Sequence, residues 1–403
     1  MNSGTRGLML IAIAALAFAS DEPALGQTET ILYSFCSQPN CADGSGPSNN
    51  SLVRDAKGNL YGATMTGGTY NLGTVFELSP SGSGWTETVL HSFSGGTADG
   101  EYPLASLILG KKGVLYGTTE EGGAYTNGIV FELSPPAKKG GAWTETILHN
   151  FGAPGDGAIP TEGVIEKDGN LYGTTYSGGG TNGRGIVYEL TPSGGGWTES
   201  ILHIFVAETG DGLYPGGGVV FHGKDLYGTT TYGGSDYGTV YELTPSGGGA
   251  WTEAFVYSLQ QASGSYYPYA VPIFDKKGNL YGTTNGFYGS VFELTKKEVE
   301  SPVYLFELIY GGFPGGVLLF DDSENLYGTT SGGGPQGAGT VFKMTLTGEI
   351  TTLYSFDALG GDGYSPNGGL VFDKAGNLYG TTPVGGTGAY CPTSCGTAFE
   401  ITP

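Results

Sequence analysis

Positive charge is what this chain has least of: 16 Lys+Arg stand against 38 Asp+Glu, a net charge of −22 over 403 residues. A surface this acidic repels phosphate backbones, so nucleic acid is excluded as an expected partner. Charge of either sign is scarce at 13%, but aromatic residues reach 12%, which separates the chain from disordered polar sequences. Long apolar runs are absent after the first twenty residues. The run there, from Leu8 to Phe18 behind Arg6, is shorter than the ~20 residues a bilayer span needs. It reads as the apolar core of a signal peptide covering residues 1–19, cut after Ala17-Phe18-Ala19, with a second option after residue 26. The mature protein is therefore expected to be secreted or periplasmic, without a membrane span, and monomeric.

Helical periodicity is missing from the mature chain, which points to an all-β fold. Cysteine is limited to Cys36, Cys41, Cys391 and Cys395. In an exported chain disulfides are the default state. Local bridges Cys36–Cys41 and Cys391–Cys395 are the first choice and cross-bridges the second. Zinc is the rival, but neither close pair has the two-residue gap usual for it. No zinc-hydrolase, nucleotide-binding or nucleophile-elbow motif occurs, and the G-x-G strings precede no helix, so phosphate binding is unsupported.

Glycine, by contrast, is abundant at 77 residues and recurs at fixed places. Asn-Leu-Tyr-Gly-Thr-Thr, cleanest at Asn170–Thr175, returns with its tyrosine at Tyr61, Tyr116, Tyr172, Tyr227, Tyr281, Tyr327 and Tyr379, at steps of 46 to 56 residues. A period of this size marks a repeat architecture. Each unit carries four apolar-rich runs bounded by Gly, Pro, Asn or Asp. In the third they are 162–166, 170–175, 185–191 and 198–205, which read as four antiparallel strands. Seven such units predict a seven-bladed β-propeller forming one domain over residues 28–403. The last unit stops after its third run, at 395–402. The segment from Thr28 to Phe35 matches a fourth run with no first three before it. It is expected to complete blade seven and close the ring, removing two sheet edges. Small residues open the first run (Gly216-Gly217-Gly218, Gly315-Gly316, Gly368-Gly369), so that run is placed at the crowded axis.

The "NLYGTTxxGG" core, the "GTVFELTP" strand (residues 73–80 and 238–245) and the "DGxxP" approach (211–215 and 362–366) together resemble the GloVer repeats of choice-of-anchor tandem repeat proteins, an exported bacterial family. The resemblance covers nearly all of the mature chain. It implies a surface or extracellular location and no established catalytic residues. The sequence ends at Pro403 without an anchor, from which a soluble exported form is expected.

The chemistry-bearing residues are few. His91, His149 and His203 share a slot in three fourth strands that Tyr33 and Tyr354 fill elsewhere, which marks them as packing residues. His222 falls in a turn. Asp43, Asp99, Asp156, Asp211 and Asp362 recur in the Asp-Gly loops, where the expected role is turn capping, with calcium as the functional alternative and no other cofactor. Glu162 is the one acid in the opening of a first run and is placed facing the central channel. A lone glutamate falls short of the carboxylate pair that glycosidases use. The loops after the second and fourth strands share one face, and this face gathers aromatics with polar tips. Tyr102, Tyr125, Tyr176, Tyr214, Tyr232, Tyr237, Tyr267 and Tyr364 are the candidate ligand-binding residues, with Tyr70, Tyr266, Tyr269, Tyr288, Tyr310, Phe313 and Tyr390 on the same side. The expected function is a non-enzymatic module for glycan or protein. A polysaccharide lyase or hydrolase at the channel mouth and a purely structural envelope protein are the alternatives.

Overall fold

The computed structural model describes residues 27–47, 51–138, 140–207, 210–297, 300–307, 311–357, 359–391 and 395–402. The expected signal peptide and Tyr310 lie outside them. The chain forms seven antiparallel sheets arranged as a seven-bladed β-propeller, and no described helix is long and apolar enough to cross a membrane. In blade three the strands are Ile165–Lys167, Asn170–Thr175, Gly183–Ser193 and Gly196–Val206, paired in that order from axis to rim. The first strand is shorter than the sequence pattern predicts: in blades one, two, five, six and seven only two residues pair, as at Val53–Arg54 and Val371–Phe372. The residues before the first strands, Glu162 in blade three among them, line the axis outside the ladders, with a bend at Ala105, Glu162, Gly217 and Gly316. The third and fourth strands of blade three extend beyond the expected bounds because the Pro-Ser-Gly turn continues the ladder through Ser193 and Gly196.

Burial follows position in the blade. The second strand Leu60–Thr64 is buried at every residue, whereas the outer strand Gly84–Ser92 alternates exposed and half-buried up to Val89 and buries Leu90. Each position of the repeated hexapeptide has its own duty. The Asn amide donates to the turn aspartate before it, as Asn59 does to Asp55 at 3.0 Å. The Tyr hydroxyl donates to the glutamate of the third strand, Tyr172 to Glu189 at 2.6 Å. The Gly leaves room for an aromatic ring, since a β-carbon on Gly62 would stand 2.6 Å from Phe76 Cζ. The first Thr donates across the seam to the next blade, Thr118 Oγ1 to the Glu162 carbonyl at 3.0 Å and Thr329 Oγ1 to that of Gly368 at 2.8 Å. The second Thr meets a third-strand threonine, Thr64 to Thr74 at 2.9 Å. The motif is scaffold.

The ring closes as expected. Thr28–Ser34 pairs antiparallel with Thr397–Thr402, and it carries a register slip between Ile31 and Tyr33 that the other outer strands show at the same place. Leu32 and Phe35 of this strand pack with Leu52, Leu60, Phe76 and Leu78 of blade one, so the seam between blades seven and one is an apolar core like the others. The cysteines gather beside it: Phe35 N–H donates to the Gly396 carbonyl at 3.0 Å. Both bridges are local, Cys36–Cys41 and Cys391–Cys395.

Candidate functional site

The axis holds a cavity of about 250 Å³ to which every blade contributes, through Ser51, Ser106, Glu162, Val219, Val271, Val317 and Leu370 among others. Its waist is aliphatic, with Ile108, Ile165 and Leu319 below those residues. Among the described residues, Glu162 is the only ionisable side chain in this lining. Glu162 is half-buried, its carboxyl has no hydrogen-bond or ion-pair partner among the described residues, and desolvation pushes its pKa up to about 8. A carboxyl in such a place is favoured in its neutral form, because desolvation penalises the charge. Across from it stands Tyr269, with three glycines of blade four between them. A β-carbon on Gly218 would lie 3.5 Å from Glu162 Cβ, and one on Gly216 would lie 3.5 Å from the Tyr269 ring. The Tyr269 hydroxyl is pushed up by burial first and then by the charges of Glu162, Tyr176 and Glu120.

One backbone feature builds this mouth. The glycine that opens each third strand sits at positive φ, and a β-carbon on Gly238 (φ +95°) would stand 2.5 Å from Pro268 Cδ and 2.6 Å from the Thr230 carbonyl. The proline of the next blade therefore docks onto bare backbone. The residue before that proline is in the left-handed region even where it is not glycine: Tyr102, Ile159, Tyr214, Tyr267, Phe313 and Ser365 have φ between +57° and +62°. That conformation is costly for a residue with a side chain, and more so before proline. It is held by hydrogen bonds on both sides. Tyr214 N–H donates to the Arg184 carbonyl at 2.8 Å, and the Tyr214 carbonyl accepts from Thr231 N–H at 3.0 Å.

These turns carry tyrosines into a continuous run over blades three to five. Tyr176 stacks on Tyr214 with ring centroids 5.0 Å apart. Tyr214 meets Tyr232 at 6.1 Å, Tyr232 meets Tyr267 at 5.2 Å, and Tyr267 meets Tyr237 at 6.3 Å. Tyr232 is 41% exposed and its neighbours are half-buried, so the rings offer edges and faces to solvent.

The model of the Gloeobacter/Verrucomicrobia repeat matches residues 20–233, 136–296 and 236–403 of this sequence. The chain belongs to the Gloeobacter/Verrucomicrobia repeat family. No curated protein matches it. Among solved structures, a puromycin hydrolase mutant is similar over 87% of this chain and 53% of its own, with TM-score 0.54 and 11% identity. A candidate 6-phosphogluconolactonase from Bacteroides uniformis is similar over 80% of this chain and 88% of its own, at TM-score 0.53 and 14% identity. The extracellular domain of a candidate one-component system from B. thetaiotaomicron is similar over 91% of this chain, with TM-score 0.53 and 11% identity. This chain spans 53% of the hydrolase and 40% of that last chain. At such identities the likeness is one of fold alone.

In this Gloeobacter/Verrucomicrobia repeat protein the histidines do more than pack. Each stands edge-on to the phenylalanine two residues later, His149 on Phe151 at 4.6 Å, as the packing reading predicts. Each also faces the aspartate of the following loop and a glutamate of the next outer strand. His91/Asp99/Glu145, His149/Asp156/Glu199 and His203/Asp211/Glu253 each bring their ligand-type atoms within 4.8 Å, a donor set a divalent metal could use. The aspartates are nonetheless engaged as turn caps: Asp99 accepts from Ser94 N–H at 2.8 Å and Gly100 N–H at 2.7 Å. In the tyrosine blades the same place is a plain hydrogen bond, Tyr33 to Asp43 at 2.7 Å. We read these junctions as ties between blades. His222 is exposed and stacks on Phe274 at 4.4 Å.

Of the eight candidate tyrosines, Tyr176, Tyr214, Tyr232, Tyr237 and Tyr267 come together in the run. Tyr364 packs against the apolar core between blades six and seven. Tyr102 and Tyr125 stand apart on blade two, and Tyr125 is 49% exposed. Glu120 was missed by the sequence reading. It holds the slot directly after the hexapeptide that Tyr176 holds one blade on, and comparing that slot around the ring would have found it.

Proposed function

We propose that this protein is an exported, non-enzymatic binding module that takes a carbohydrate chain across the tyrosines of blades three to five, beside the channel mouth. One observation carries the reading: Tyr176, Tyr214, Tyr232 and Tyr267 form an unbroken, partly exposed path with centroid spacings of 5.0 to 6.1 Å. Flat apolar rings with hydroxyl tips suit the alternating C–H faces and hydroxyls of sugar rings, and they lose little side-chain entropy on binding. The backbone strain before each proline fixes the rings in advance, so less ordering remains to be done when a ligand arrives. The two disulfides and membership of a family of exported repeat proteins support the location. Against the hydrolase alternative stands the isolation of Glu162, which lacks a partner carboxylate in the channel lining.

A glycan array followed by calorimetry on the mature protein tests this. Tyr214→Ala and Tyr232→Ala should each weaken the selected glycan by about fivefold or more, roughly 1 kcal/mol per ring. Failure of every glycan to bind, or binding indifferent to both substitutions, would sink the reading.

A further inference from the structure

We propose that the head of the central channel is a seat for a protonated primary amine, and that the glycans this face takes are those carrying free amino groups. The inference rests on the carbohydrate reading and names the class of carbohydrate.

The seat is defined by space, by charge and by what is missing around it. Gly216, Gly217 and Gly218 run between Glu162 and Tyr269 with Thr231, Ala270 and Val271 packed against their bare backbone, and the open space is the axial cavity that Glu162 lines. A β-carbon on Gly217 would stand 2.7 Å from the Ala270 carbonyl oxygen, so this floor admits no side chain of its own. Below lie only aliphatic and serine side chains, and the Glu162 carboxyl points into the cavity without a hydrogen bond or counter-ion among the described residues. A polar group left so is costly unless something brought from outside pairs with it. Glu120 and Tyr176 follow the second strands of blades two and three, on the loop face.

The cations that would neutralise these acids lie elsewhere. Lys57, Lys111, Lys224, Lys276 and Lys374 sit in the turns between first and second strands, on the opposite face. Arg184 is the one described cation on the loop face, and its side chain lies at the outer edge against Val206 and Ala207. The face carries Glu101, Glu120, Glu121, Asp236 and Glu307 instead. An ammonium group supplies what is lacking. Its N–H donors pair with the Glu162 carboxylate, and the tyrosine faces attract the same charge. A sugar ring bearing that group continues onto Tyr176 and Tyr214. An N-acetylated sugar brings no charge, and a uronic acid brings the wrong one.

The test is calorimetric titration of the mature protein at pH 6 with a glucosamine tetramer, its N-acetylated counterpart and a uronic acid tetramer. The glucosamine oligomer should bind about tenfold tighter than the N-acetylated one, as expected for a charge-assisted hydrogen bond, and the uronic oligomer should not bind. Binding should release about one proton per ligand, read from two buffers of different ionisation enthalpy, because a neutral Glu162 gives up its proton to form the ion pair. Glu162→Gln should bring the ratio of affinities to near one and abolish the proton release; Glu120→Gln should lower the ratio part-way. Equal affinities in the wild type, or a ratio that survives Glu162→Gln, overturns the amine seat while the carbohydrate reading stands. If none of the oligomers binds and the array also yields no glycan, the carbohydrate reading falls with it.

Discussion

Replacing Phe35 with alanine tests whether the two chain ends hold the ring. Phe35 is fully buried at the end of the strand that closes blade seven, with its ring 4.9 Å from Phe76 of blade one and 5.2 Å from Tyr33. It belongs to an apolar cluster that includes Leu32, Leu52, Leu60 and Leu78. A buried phenylalanine removes roughly 150–250 Å² from water, and truncation to alanine also leaves a cavity, so the expected loss is about 3–5 kcal/mol. The repeat supplies its own standard. Phe93 and Phe205 occupy the same slot at internal seams, each fully buried and about 5 Å from its partner ring, Phe93 at 5.3 Å from Phe131 and Phe205 at 5.0 Å from Tyr241. Leu259 fills that slot in blade four, so Phe35→Leu should be tolerated at under about 1.5 kcal/mol. Urea unfolding followed by tryptophan fluorescence suits the question, because Trp85 sits across this seam from Tyr379 at 6.0 Å. Phe35→Ala and Phe93→Ala should cost the same within about 1 kcal/mol. A Phe35→Ala protein as stable as the wild type, beside a Phe93→Ala protein that is not, would refute closure as a determinant of stability.

Two further perturbations follow from the same framework. Gly238→Ala should destabilise by about 2 kcal/mol or more, since the new methyl meets Pro268 Cδ at 2.5 Å and the Thr230 carbonyl at 2.6 Å on a backbone at φ +95°; thermal melting reads it, and an unchanged melting temperature would contradict the proline docking. Stability should also depend on pH through the blade junctions. Burial pushes Glu87 up to about 8 and Glu145 and Glu199 to about 7, from the ordinary glutamate value of 4.5. A carboxyl whose folded pKa is raised contributes stability that is complete below about 4.5 and is lost as pH rises through 7 to 8. Asp99 runs the other way. Burial alone would raise it, but the His91 hydrogen bond and the Ser94 N–H hold it below the usual carboxylate range. Its contribution is present above about pH 4 and is lost in stronger acid. The melting temperature should therefore peak near pH 5 and fall towards pH 8. Glu87→Gln combined with Glu145→Gln should flatten that fall, and a melting temperature rising from pH 5 to 8 would contradict it.

The amino-acid sequence by itself determined the architecture. A hexapeptide returning seven times, four strand-like runs per return and an orphan fourth run at the front leave a closed ring as the arrangement without free edges. The sequence pattern extends the first strands beyond their ladders, because residues with β propensity continue to the axis whereas ladder partners do not: near the axis the neighbouring backbone is the next blade, as at Gly316, where a β-carbon would meet the Gly368 and Gly369 backbone. Glu162 could be placed at the channel from the sequence, since it interrupts a series of small residues at a position already assigned to the axis. Its solitude could not, because that depends on what six other blades place opposite it. The same holds for the tyrosines. Tyr176 and Tyr214 stack although 38 positions apart, and Tyr364 packs into a seam although its slot predicted the open face. The histidine junctions join residues of two blades through a loop whose path the sequence does not state. Periodicity is a property of one chain segment repeated, and the sequence carries it in full. Which side chains converge at the mouth depends on how loops from neighbouring repeats fold over one another, and only the assembled ring decides that.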